Sequence, residues 1–245
     1  MISKAQLKRI RALHLKKNRE EEGLFIAEGP KVVNDLLGSS YRAKMVFSVD
    51  TMTVPAGVTL NISSEDELGE ISALSAPNRV LAVFETKKNQ PDPPDQTGKL
   101  ILALDDIRDP GNMGTIIRIA DWFGISAVLC SESCVDVYNP KVVQATMGSL
   151  ARVNVFYVES KKIVPRYKQV YGTVMKGKNI YTEKLSEEGV ILLGNESRGI
   201  SEDLLKLVTD KLSIPNFSSG ADSLNAAVAS AIVCSEFKRR NKDNN

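Results

Sequence analysis

The second half of the chain alternates short, continuous apolar runs with stretches of helical period. "KLILALDDI" at 99–107, "AVLC" at 127–130, "VNVFYV" at 153–158, "VILLG" at 190–194 and "KLSIP" at 211–215 are the runs. Runs of this length, bounded by polar turns, fit strands buried on both faces. Strands that alternate with helices of ten or more residues predict a parallel sheet covered on both sides, an α/β fold. Ligands of such sheets sit in the loops at the carboxyl ends of the strands, which is where the glycines of this half fall.

The first half reads as a smaller α/β unit. "LFIAEG" at 24–29, "KMVFSVD" at 44–50 and "RVLAVFE" at 79–85 predict strands, and "PKVVNDLLG" at 30–38 and "SEDELGEISAL" at 64–74 predict helices. Between the halves, "TKKNQPDPPDQTGK" combines prolines and alternating charge with little apolar content, the composition of a linker. The expected division is an N-terminal domain at 1–85, a linker at 86–99 and a C-terminal domain at 100–245.

Composition narrows the class. The 245 residues are 42% hydrophobic and 25% charged, ordinary for a globular chain, and no apolar run approaches the ~20 residues that span a bilayer. The basic N-terminus has no apolar segment of the secretory kind, so a cytoplasmic location is expected. Cys130, Cys134 and Cys234 have no paired spacing and His14 is the one histidine, too few ligands for a zinc site, so no metal is expected.

Net charge is only +2, but it is unevenly placed: Lys4, Lys8, Arg9, Arg11, Lys16, Lys17 and Arg19 occur without an acid among them. Leu7, Ile10 and Leu13 or His14 recur at helical spacing, leaving the cations on an open face. Such a face suits a phosphate backbone and makes Lys8, Arg11, Lys16, Lys17 and Arg19 candidate RNA contacts. A solvated helix surface has the same pattern.

The chemistry concentrates in three loops that follow apolar runs. In "LDDIRDPGNMGTIIRIADWFGI" at 104–125, Asn112 and Gly114 open a helix whose Ile116, Ile117, Ala120 and Phe123 share a face, with Gly124 as its stop. Neither GxGxxG nor GxxxxGK[ST] is present, so dinucleotide and P-loop readings lack a motif. Asn112 is positioned either to cap the helix or to serve a site. Arg118, roughly 9 Å further along the axis, reaches the same mouth only by pointing back toward the helix N-terminus. "VILLGNESRGIS" at 190–201 carries Asn195, Glu196 and Arg198, and "LSIPNFSSGADSLNAAVASAI" at 212–232 places Ser223 and Asn225 before a small-residue helix. Read singly, Ser223 is also a helix cap and Glu196 a surface acid.

Together, Asn112 with Arg118, Glu196 within Gly-Asn-Glu, and Ser-Leu-Asn at 223–225 resemble the three motifs of the SpoU (TrmH) family of RNA ribose 2'-O-methyltransferases, within the SPOUT superfamily. The resemblance covers most of Leu100 to Arg240, and "KNREEEGLFIAEGPKVV" resembles the family's N-terminal substrate-binding domain, so nearly the whole chain is included. It implies a C-terminal domain tied into a deep trefoil knot, an exception to the unthreaded rule. It implies S-adenosylmethionine (AdoMet) as cofactor, held by Leu193, Gly194, Asn195, Ile214, Leu224 and Asn225, and a catalytic set of Arg118, Asn112, Glu196, Ser223 and Asn225. Arg118 is either the base for the 2'-hydroxyl or, since a guanidinium is rarely deprotonated, the group that grips the neighbouring phosphate and stabilises the developing alkoxide.

"NPKVVQATMGSLARVNVFYV" at 139–158 resembles a further family signature, and that resemblance makes Lys141 and Arg152 candidate RNA contacts; a solvated helix face is the other reading of Lys141. The family's homodimers imply a dimer here, for which the stripe Leu224, Ala227, Val228, Ala231, Ile232 and Ser235 is suited, as it is to an internal core. The N-terminal domain resembles the type found in enzymes that act on ribosomal RNA, which implies ribosomal RNA as substrate; large-subunit RNA is the expected target. The alternatives are a SPOUT base methyltransferase, or a non-catalytic RNA-binding or ribosome-assembly factor on the same fold.

Overall fold

The computed structural model describes residues 2–89, 93, 98–218, 220 and 223–241, apart from the side chains of Arg240 and Asn241. In chain order the first elements are α1 (Lys4–Ala12), α2 (Lys16–Glu22), β1 (Leu24–Glu28), α3 (Pro30–Leu37), β2 (Ala43–Ser48), β3 (Thr59–Ile62), α4 (Glu65–Ile71) and β4 (Val80–Glu85). There follow β5 (Leu100–Leu104), α5 (Pro110–Trp122), β6 (Ala127–Cys130), α6 (Pro140–Ala145), β7 (Asn154–Tyr157), α7 (Ser160–Ile163), β8 (Val170–Asn179), β9 (Gly189–Leu193), α8 (Glu202–Leu205), β10 (Asp210–Ser213) and α9 (Ala226–Asn241). They form two compact units, one of residues 1–88 with Asp136–Arg152, the other of Asn89–Val135 with Val153–Asn245. The stretch read as a linker lies in large part outside the described residues.

The first unit is a mixed sheet in the order β1-β4-β2-β3, antiparallel except for the β2–β3 pair. Ile10, Leu13, Ile26, Phe47, Leu68, Ile71 and Val83 form one apolar cluster of its core. Helices α1 and α4 each begin with a capping box, Ser3 with Gln6 and Ser64 with Glu67, which satisfies end N–H groups at both. The basic stretch is two helices rather than one. Arg19 turns back from α2 and donates from one guanidinium nitrogen to the carbonyls of Leu13 and His14, both at 2.9 Å, in the break between them.

The second unit is the expected all-parallel sheet, in the order β10-β8-β9-β5-β6-β7. Every residue of β5, β6 and β9 is buried, which is why each reads as an unbroken apolar run. Strand β8 departs from that pattern. Its ladder with β10 pairs Gly172 with Lys211 and then jumps to Lys178 with Leu212, so 173–177 form an extended bulge in that ladder. Gly177 lets that bulge close on β10, because a Cβ there would lie 2.7 Å from the Lys211 carbonyl oxygen. Among the described residues no helix is long and apolar enough to cross a membrane.

Candidate functional site

The site lies wholly within the second unit, where loops leave the carboxyl ends of β5, β9 and β10. Asp109, not Asn112, caps α5: its carboxylate accepts the Asn112 N–H at 2.7 Å, with Pro110 in the first turn. The Asn112 side chain is therefore released from capping and bonds at both ends. Its Nδ2 donates to Glu196 Oε1 at 2.5 Å, and its Oδ1 accepts from Asn225 Nδ2 at 2.9 Å. Asn225 in turn caps α9, its Oδ1 accepting from the N–H groups of Ala227 (2.9 Å) and Val228 (3.3 Å). One amide thus ties the α5 entrance, the loop after β9 and the α9 entrance together, using donor and acceptor capacity on both sides.

The loop after β9 is fixed from within. Asn195 donates through Nδ2 to the Asp106 carbonyl at 2.9 Å and accepts through Oδ1 from the N–H groups of Ser197 (2.9 Å) and Arg198 (3.2 Å). Asn195 and Gly199 also exchange two backbone hydrogen bonds, at 3.0 and 2.8 Å. This crossing requires glycine at 194, where a Cβ would stand 2.2 Å from the Gly199 carbonyl carbon. The buried Asp105 carboxylate accepts the Ser201 N–H at 2.7 Å and anchors the far end of the loop. Beside it Asp106 adopts a left-handed backbone with φ of 60°, uncommon outside glycine but tolerated by aspartate more than by most residues.

These loops border a cavity of about 740 Å³. Leu193, Gly194, Asn195, Ile214 and Leu224, the residues implied by the family resemblance, line it, as do Glu196 and Ser223. Asn225 does not; it is exposed and bonds to Asn112. Two linings were not foreseen. The β8 bulge contributes Thr173, Val174 and Met175, and α9 contributes Ala226, Ala229 and Val233. The spacing of the α9 set is the readable signal, since positions i, i+3 and i+7 share one helical face.

Arg118 is exposed on α5, and among the described residues it has no hydrogen-bond or ion-pair partner. The Asn112–Glu196–Asn225 junction forms without it. The basic N-terminal stretch is less open than its sequence suggests, because Lys16 and Lys17 pair with Glu20 (3.6 Å) and Glu21 (3.7 Å), and Arg11 donates to the Glu70 carbonyl. Lys8 and Lys141 are exposed, and Arg152 pairs with Asp35 at 3.2 Å. Arg19 must be removed from the candidate RNA contacts. It is 3% exposed, and its guanidinium lies 2.6 Å from the Asp136 carboxylate, with its remaining contacts to carbonyls, so a phosphate has no access to it.

Residues 99–235 match the SpoU rRNA methylase family, and residues 4–82 match the MRM3-like substrate-binding domain. The chain belongs to the SpoU family, and its all-parallel sheet with a small N-terminal α/β unit is the architecture of that SPOUT class. It is 31% identical to the 23S rRNA (guanosine(2553)-2'-O)-methyltransferase RlmP of Bacillus subtilis, over 90% of this chain and 91% of that one. Among solved structures, a TrmH-family protein of Porphyromonas gingivalis superposes with a TM-score of 0.89 at 36% identity, covering 98% of this chain and 99% of that one. An AdoMet-bound rRNA methyltransferase from Sinorhizobium meliloti gives 0.86 at 31% identity, covering 98% and 97%.

Proposed function

We propose that this chain transfers the methyl group of AdoMet to a ribose 2'-hydroxyl of large-subunit ribosomal RNA. The observation that carries the proposal is the hydrogen-bonded junction of Asn112, Glu196 and Asn225 at the edge of the 740 Å³ cavity, in a chain of the SpoU family. The cavity suits the cofactor. Its volume lies within the ~300–1,000 Å³ of small-molecule sites, and Leu193, Ile200, Leu212 and Ile214 give it apolar walls for an adenine while loop backbone borders the rest. We assign Leu193, Gly194, Asn195, Ile214 and Leu224 to holding AdoMet, in the knotted path that the SPOUT class implies for 100–245.

AdoMet supplies an electrophilic methyl on a sulfonium, which calls for alignment rather than for a metal. The acceptor hydroxyl is a weak nucleophile until its proton leaves. A guanidinium is a multiple hydrogen-bond donor, and Arg118 has no partner among the described residues, so we assign it to the phosphate beside the acceptor and to the alkoxide that develops there. Glu196, held by Asn112, fixes the loop after β9 against the α5 entrance, and Asn225 keeps α9 in register with both. Ser223, on the cavity wall, is assigned to orienting the ribose or its phosphate.

We assign RNA capture to residues 1–85, with Lys8, Arg11, Lys16 and Lys17, and to Lys141 and Arg152; 86–99 serves as the linker. The match of 4–82 to a substrate-binding domain supports this division. A cytoplasmic homodimer is part of the proposal. The dimer is supported by large apolar side chains left open on the second unit outside the cavity, Trp122 at 85% and Val228 at 49% exposure. The test uses AdoMet carrying a labelled methyl. Label should enter ribosomal RNA from cells that lack this protein and not RNA from cells that contain it; no label in either RNA overturns the reading.

A further inference from the structure

Only two of the described residues lining the cavity carry a charge, Glu196 and Arg198. The Glu196 carboxylate already accepts from Asn112 at 2.5 Å. Arg198 differs. Its backbone N–H is pinned to Asn195 Oδ1 at 3.2 Å, so its root is fixed in the loop, yet its side chain is exposed and has no hydrogen-bond or ion-pair partner among the described residues. The described cavity wall therefore offers one uncommitted cation, on a hydrogen-bonded loop, and apart from the Asn112-bound Glu196 carboxylate the rest of the described lining is uncharged.

The cofactor assigned to this cavity under the proposed function carries two positive groups, the sulfonium and the amine, and one negative group, the carboxylate of its methionyl part. A planar guanidinium matches a carboxylate through two parallel N–H donors. We propose that Arg198 binds the carboxylate of AdoMet and so makes the cavity selective for the carboxylated cofactor. The inference rests on the cofactor reading and adds a residue and a chemical group to it. Arg118 and Arg198 then divide the negative charges between them, with Arg118 at the RNA phosphate and Arg198 at the methionyl end.

The test is calorimetric titration of the full chain with AdoMet and with decarboxylated AdoMet, which lacks only the carboxylate. The wild type should bind AdoMet about tenfold or more tightly than the decarboxylated compound, the worth of one charged hydrogen-bonded contact at a partly open site. Arg198→Ala should bind AdoMet about tenfold more weakly and the decarboxylated compound as the wild type does, so that discrimination disappears. Unchanged binding of the decarboxylated compound also shows that the variant cavity is intact, and Arg198→Lys should recover part of the preference.

Equal loss for both compounds overturns the inference, since it reports a damaged loop. Wild-type AdoMet affinity in Arg198→Ala also overturns it. If the KM for RNA rises in that case, the guanidinium serves a phosphate instead. Failure of the wild type to bind either compound removes the cofactor reading itself, an outcome distinct from binding without discrimination.

Discussion

Arg118→Ala is expected to reduce methyl transfer by about a hundredfold to a thousandfold while AdoMet affinity stays at the wild-type value. The magnitude is that of removing one preorganised donor from a developing oxyanion. The separation of effects follows from position: Arg118 is exposed on α5 and does not line the cavity, whereas the residues proposed to hold the cofactor lie on the loops after β9 and β10 that do. Arg118→Lys should restore little, because a point charge cannot reproduce the fork of a guanidinium. Single-turnover rates with calorimetry on the same preparations decide it. A variant within tenfold of the wild type would take Arg118 out of the chemistry, and parallel loss of AdoMet binding would place it at the cofactor.

The largest expected effect on stability belongs to a residue outside the site. Asp136→Ala leaves the Arg19 guanidinium buried with only carbonyl partners, and breaking such a pair from one side costs about 3–5 kcal/mol. Asp136 also accepts the Tyr138 N–H at 3.0 Å, so the segment 136–152 loses its start as well as its ion pair within the first unit. Denaturant unfolding of the whole chain, followed by a first-unit probe, should show this loss. Replacing Arg19 together with Asp136 by apolar residues of similar size should return much of it, since the penalty lies in the stranded charge. A loss below about 1 kcal/mol, the range of exposed pairs, would show that water reaches Arg19.

Most of the second unit's sheet was legible in the sequence because its central strands are buried on both faces. Strand β8 was hidden, for its length includes two glycines, two lysines and a bulge that abandons the ladder, so no apolar run or alternation survives. Strand β3 was hidden for a different reason, being four partly exposed residues at a sheet edge. The site was legible as three glycine-bearing polar loops but not as a geometry. Asn112 meets Glu196 and Asn225 across separations of 84 and 113 residues, which no local period encodes. Asn112 read equally as the cap of α5 or as a site residue, and the cap proves to be Asp109; both are good cap residues and only the backbone decides between them. The basic stretch looked more open than it is because Glu20, Glu21 and Glu22 follow it directly and fold back onto it through helical spacing and the α1–α2 break.

Ribose and base methylation differ in their effect on alkaline strand cleavage, and that difference tests the proposal most directly. In RNA the 2'-hydroxyl is the nucleophile that cleaves the neighbouring phosphodiester in alkali, so a methyl on that oxygen protects one linkage. Ribosomal RNA methylated by this protein, end-labelled and hydrolysed in alkali, should give a ladder with one gap at the modified nucleotide, and the gap should be absent when Arg118→Ala replaces the wild type. A complete ladder from RNA that has demonstrably taken up a methyl group would contradict ribose transfer and place the methyl on a base.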